Sequence, residues 1–194
     1  MMAVETGADA IGMIFAPSPR RITESAAKHI AEHLPPFITP VGVFVDPTRD
    51  EVARAREIFP DLVIQLHGDE SPSFVSSLDG KIMKTIHVAP DASDSGAVER
   101  AANEHPRAIL LFDTVTGGQR GGTGVVFPWR TIVPVARARQ VIVGGGLTPE
   151  NVSNCVRTVR PFGVDVRSGI ETDGRKDLLK MRAFVQAVKD TDAA

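Results

Sequence analysis

The chain has 194 residues, 42% of them hydrophobic, with 22 Lys and Arg against 24 Asp and Glu. A chain of that length buries a core without a disulfide or metal staple, and its single cysteine, Cys155, excludes an internal disulfide framework. A net charge of −2 argues against a nucleic-acid partner, and the longest apolar runs fall far short of the roughly 18 residues that span a membrane, so the expected setting is the cytoplasm.

The N-terminus, MMAVETGADAIGMIF, has early acids and no basic region, unlike a signal peptide. Met1–Ala8 reads as the second half of a helix leading into the apolar run Ala10–Phe15. Thr23 caps a predicted helix over Glu24–Leu34, and the run Val41–Val45 follows. Thr48 and Glu51 form a capping box, with Val52, Ala55 and Phe59 at helical spacing behind it. After Leu62–Leu66, Ser71-Pro72 opens another helix, with proline at its first position. The runs Ile82–Val88, Ala108–Phe112, Val141–Val143 and Val164–Val166 complete the series. Thr148-Pro149 opens a helix that puts Val152, Cys155, Val156 and Val159 on one face, and a last helix runs near Asp177–Val188.

Short continuous apolar runs alternating with helices predict a parallel α/β sheet with right-handed crossovers. An open doubly wound sheet and a closed (βα)8 barrel both satisfy that order. The strand ends favour the barrel. His67-Gly68, His87, Asp113, Gly144-Gly145-Gly146 and Arg167-Ser168-Gly169 each stand at the C-terminal end of a run, and a ring of such ends makes a barrel's catalytic face, whereas an open sheet gathers its site at one switch point. Seven runs are visible where a barrel needs eight.

Three glycine clusters, Gly121-Gly122-Thr123-Gly124, Gly144–Gly146 and Ser168-Gly169, follow adjacent strands. Glycines let backbone N–H groups approach an anion, and a barrel builds its phosphate site from the last two loops; tight turns alone are the other reading. Asp113 closes the apolar run AILLFD, where partial desolvation would raise its pKa toward acid catalysis; a solvated carboxylate capping the loop is the alternative. Asp165 lies within GVDV, where burial would require a donor or a ligand. Arg20 and Arg21 could bind a carboxylate in bidentate fashion or lie on the surface. His29, His33 and His105 read as exposed, and Cys155 reads as core. No nucleotide-binding fingerprint, zinc spacing or nucleophile elbow is apparent.

The stretches GADAIG (from Gly7), FAPSPR (from Phe15), VGVFV, QLHGDE (from Gln65), LLFDT (from Leu110), GGTG (from Gly121), GGLTPENV (from Gly145), RPFGVD (from Arg160) and SGIE (from Ser168) occur in one order along the whole chain. With these residues the sequence resembles the phosphoribosylanthranilate isomerases. The resemblance implies a (βα)8 TIM-type barrel and an Amadori rearrangement of a phosphorylated aminoaldose to an aminoketose, without metal or organic cofactor, in a monomer or homodimer. It implies that Asp113 is the general acid and that Arg20 orients the anthranilate. His67 and Asp165 would line the pocket, and Gly122, Gly145, Gly146, Ser168 and Gly169 would cradle the phosphate.

Three features depart from the family pattern. The family opens with a strand carrying Lys-Ile-Cys-Gly-x-Thr, whose cysteine is the base. This sequence starts within the following helix, so the expectation is one barrel domain over residues 1–194, truncated at its N-terminus, with the first strand missing. Cys155 matches a later helix and is no substitute; Asp46 and His67 are possible stand-ins. The open edge would be covered by a rearranged N-terminal segment or a neighbouring chain. Arg167 replaces a customary serine, and Pro128 a common aspartate. Two readings stay open: a working isomerase, or a remnant that binds sugar phosphate without turnover. A histidine-pathway relative would need a second acid and a second cradle.

Overall fold

The computed structural model describes residues 2–116, 119–120 and 125–192. The parallel strands are β1 (Ala10–Ile14), β2 (Thr39–Phe44), β3 (Val63–Leu66), β4 (Ile82–Val88) and β5 (Ile109–Thr116), then β7 (Val141–Val143) and β8 (Gly163–Val164). They pair in that order, β1-β2-β3-β4-β5-β7-β8, so seven parallel strands form a curled, incomplete TIM-type barrel. The short β6 (Gln119–Arg120) folds back antiparallel on β5, and β9 (Glu171–Thr172) and β10 (Arg175–Lys176) form a separate hairpin.

The helices are α1 (Met2–Glu5), α2 (Glu24–His33), α3 (Arg49–Ile58), α4 (Pro72–Ser76), α5 (Ser95–Asn103), α6 (Val133–Ala138), α7 (Val152–Val159) and α8 (Leu178–Asp192). The predicted caps form. Thr23 accepts from Ala26 N, Thr48 and Glu51 close a reciprocal box, and Ser71 accepts from Phe74 N ahead of Pro72. One start differs. The helix expected at Thr148-Pro149 begins at Val152, because Asn151 Oδ1 accepts from Thr148 N at 2.9 Å and holds those residues as a turn. No described helix is long and apolar enough to cross a membrane.

Alternation along the strands divides the core into layers. Val41, Val63, Met83 and Leu111 point inward and meet at the barrel axis. The intervening residues, such as Phe44, Ile64, Leu66, Leu110, Phe112 and Val143, point outward and pack under the helices in two clusters. Cys155 is fully buried in one of these, as its place on the apolar face of α7 predicts.

Among the described residues, no strand pairs with the outer edge of β1 or β8. Among the described residues the N-terminal segment adds no strand to that edge. It forms α1, whose Ala3 packs on the core, and Gly7 lies against Val185 and Lys189 of α8.

Candidate functional site

Above the axial layer, the next inward residues are polar. Gln65 and Thr85 are buried, and above them stand His67, His87 and Asp113, the last two being register partners across β4 and β5. His67 is held from below and behind: its backbone N–H donates to Phe44 O at 2.8 Å, and its Nδ1 lies 3.1 Å from Thr85 Oγ1. That leaves Nε2 facing Asp113, 3.5 Å from Oδ2. His87 stands edge-on to His67, with ring centroids 4.8 Å apart.

Asp113 is 7% exposed. Burial pushes its pKa up to about 6, and the nearby Asp165 carboxylate adds to the rise; the Thr114 N–H, donating to Oδ1 at 2.7 Å, and the charge of Arg167 oppose it. This carboxyl therefore holds a proton well above the ordinary carboxylate range and stands among the inward polar residues at the strand ends. Asp165 differs from expectation. It follows β8 instead of lying within it and is solvent-accessible; among the described residues no further strand pairs on that side. The protein nevertheless crowds its carboxylate, which raises its pKa against the pull of Arg167 and Lys176.

The glycines of the last two loops are required by close approach. Gly145 has φ +77°, and a Cβ there would come within 2.6 Å of Thr114 Oγ1 and against Asp113 Oδ1. Gly146, at φ +68°, would meet the carbonyl of Val125. Gly169 lies so close to the Leu147 carbonyl that no Cβ fits. The β7 and β8 loops thus touch backbone to backbone: Gly145 lies against Asp113 and Thr114, and Gly169, next to Ser168, lies against Leu147, which follows Gly146. Asn151 braces the first loop by donating to Gly146 O at 2.9 Å. Gly122 lies outside the described residues.

Arg20 comes to the same side from the β1 loop. Its guanidinium makes a two-point bond to Glu171, Nη1 to Oε1 at 2.7 Å and Nη2 to Oε2 at 2.9 Å. Lys176 lies 3.1 Å from the same Oε1, and these cations hold the Glu171 carboxyl down at about 2, Arg20 contributing most. Asp46, in the β2 loop, accepts from Asp69 N at 2.8 Å. Cys155 offers no nucleophile or base: burial pushes its thiol up to about 12.

Two features escaped the sequence reading. His105 is buried, not exposed; burial first, then the charge of Lys84, lowers its pKa. Lys84 points outward from β4 and is sealed from water, its Nζ 2.7 Å from both Glu70 Oε2 and Gly68 O. The other Glu70 oxygen accepts from Asp46 N and Gly68 N, each at 2.9 Å. One buried ion pair therefore ties the loops after β2 and β3 to β4 and fixes the segment that carries His67. A lysine within the apolar run IMKTIHV was the available signal, since a buried cation needs a partner. A groove of about 600 Å³ lies elsewhere, between α2 and α3 in the outer layer and away from these strand ends.

The profile of the N-(5'phosphoribosyl)anthranilate (PRA) isomerase family matches residues 1–187. The N-(5'-phosphoribosyl)anthranilate isomerase of Desulforudis audaxviator is 42% identical over 188 residues, covering 97% of this chain and 91% of that protein. The crystal structure of phosphoribosyl anthranilate isomerase from Thermotoga maritima superposes with a TM-score of 0.86 at 34% identity, over 97% of this chain and 92% of that one. A phosphoribosyl anthranilate isomerase solved in complex with reduced 1-(o-carboxyphenylamino)-1-deoxyribulose 5-phosphate gives a TM-score of 0.82 at 33% identity, over 97% and 91% of the two chains.

Proposed function

Because the chain belongs to the phosphoribosylanthranilate isomerase family of tryptophan biosynthesis, we propose that its strand-end cleft binds N-(5'-phosphoribosyl)anthranilate and that Asp113 is the general acid of the rearrangement. One observation carries this reading: a carboxyl held protonated to about pH 6, facing His67 and beside the glycine-lined loops. Asp113 gives its proton to the furanose oxygen as the C1–O bond breaks, and the nitrogen lone pair forms the Schiff base. Loss of the C2 proton then yields an enolamine, which becomes the ketone as C1 gains a proton and the enol oxygen loses one. The family resemblance assigns the C2 proton to a cysteine on a strand ahead of β1. Cys155 does not take that role.

The backbone amides of Gly145, Gly146 and Gly169, with the Ser168 hydroxyl, hold the phosphate, and Arg167 adds positive charge beside it. Arg20 orients the anthranilate carboxylate, which must share or displace Glu171 on the guanidinium. His67 steadies the Asp113 carboxylate once its proton has gone, and Asp165 lines the opposite wall. Residues 1–194 act as one barrel domain in the cytoplasm.

A second reading, binding without turnover, is favoured by the solvent-open edge beside Asp165. Fluorescence loss of freshly made phosphoribosylanthranilate separates the two. Turnover that disappears in Asp113→Asn supports the isomerase. Tight binding of the reduced product analogue without turnover supports the second reading, and turnover retained in Asp113→Asn refutes the assignment of the acid.

A further inference from the structure

The outer face of α2 carries a side-chain group that neither the core nor the cleft uses. His29, Glu32 and His33 are exposed, and one ligand atom from each lies within 4.8 Å of the others. The two imidazoles are one helical turn apart, so they share a face, with ring centroids 4.3 Å apart and planes tilted by 41°. His33 Nδ1 bonds the His29 carbonyl at 2.8 Å. With Nδ1 donating, the lone pair is on Nε2, the arrangement by which metal-binding histidines are usually oriented. The adjacent cation is already engaged, since Lys28 pairs with Glu24 at 2.6 Å, and among the described residues Glu32 makes no ion pair. His33 also ends the helix, where the backbone dipole favours positive charge.

We propose that His29, Glu32 and His33 form a surface site for a divalent transition-metal ion of the zinc type. Two imidazole nitrogens and one carboxylate oxygen bind it, and water completes the shell. Imidazole donors select zinc, copper or nickel over magnesium and calcium, which prefer all-oxygen sites. The order His-x-x-Glu-His places two histidines four apart on a helix, the spacing of zinc-binding helices; the sequence reading that found no zinc spacing missed it. An ion held there clips the last turn of α2 and stabilises the folded state by binding it selectively.

Titration calorimetry of the 194-residue chain, stripped with chelator and then titrated with zinc chloride, tests the site. One ion per chain is expected, with affinity more than about tenfold weaker in His29→Ala and in His33→Ala, a smaller loss in Glu32→Gln, and no heat with magnesium chloride. Zinc should raise the melting temperature of the parent chain and not that of the doubly substituted His29→Ala/His33→Ala chain. All three side chains are exposed, so the variants should keep the fold, which circular dichroism checks. Absence of zinc binding overturns the proposal. So does unchanged binding in the double variant, which would move the ion to His67 and His87 in the cleft.

Discussion

The β3–β5 side of the sheet and the β1–β8 side solve the same problem, holding polar groups at the strand ends, in different ways. On the first, Lys84, Glu70 and the backbone of Gly68 are bonded out of reach of water, Asp46 N joins the same carboxylate from the part-buried β2 loop, and His67 is braced by Thr85. On the second, the inward positions Ala10 and Gly12 of β1 are exposed, Asp165 is solvent-accessible, and the tie between loops is the half-exposed Arg20 with Glu171. The difference is one of solvation. A sealed pair fixes geometry and is costly to break by halves, whereas an accessible pair is weak and can exchange partners. A cleft that must hold an acid in place and also release an arginine to an incoming carboxylate has use for both.

Asp113, which faces the sealed side, carries the largest expected effect. Asp113→Asn should lower turnover by about 10²–10⁴-fold. The same change should stabilise the fold at alkaline pH. A carboxyl whose pKa rises from 3.8 unfolded to about 6 folded penalises the native state once ionised, by about 3 kcal/mol. The penalty is absent below pH 4, grows as pH rises toward 6 and is complete above it. Urea unfolding at pH 8 should therefore favour the variant, and at pH 4 the two chains should agree.

Lys84→Met leaves Glu70 buried and unpaired and should cost about 3–5 kcal/mol in chemical denaturation. Adding Glu70→Gln should recover much of that, since the amide oxygen can still accept from the two backbone N–H groups. Gly145→Ala, forced to a positive φ against Thr114 and Asp113, should cost about 1–3 kcal/mol and weaken binding of the product analogue. Glu171→Gln should cost about 1–2 kcal/mol near neutral pH, since its nearly buried carboxylate is held well below its ordinary value by Arg20 and Lys176 while the solvent-exposed cations weaken the pair, and it should also change KM.

Much of this architecture was legible in the sequence, because buried parallel strands are written as apolar runs and helix starts as caps. The core place of Cys155 followed from the spacing on α7, and the raised pKa of Asp113 from its position after AILLF. What was not legible depends on pairing across the sheet. Lys84 could be seen as misplaced in its strand, but its partner, in the loop after β3, could not be named without the register. The place of Asp165 in GVDV leaves burial and solvation both open; in the fold it is exposed, beside a strand, β8, that has one neighbour among the described residues. His105 reads as an exposed helix or loop residue, but it is buried in the fold, with Arg139 donating to its carbonyl at 3.0 Å. The turn at Thr148-Pro149 was misread because Asn151 turns its side chain back on the chain.

Asp113 is lifted well above an ordinary aspartate, to about 6, so that a fraction of it keeps its proton near neutrality. Carbon-13 NMR of the aspartate carboxyls across pH 3–8, with Asp113→Asn identifying the resonance, measures it directly. A midpoint near 6 is expected for Asp113. A midpoint in the ordinary range near 3.8 would mean that the carboxyl is ionised at working pH and does not serve as the proton donor.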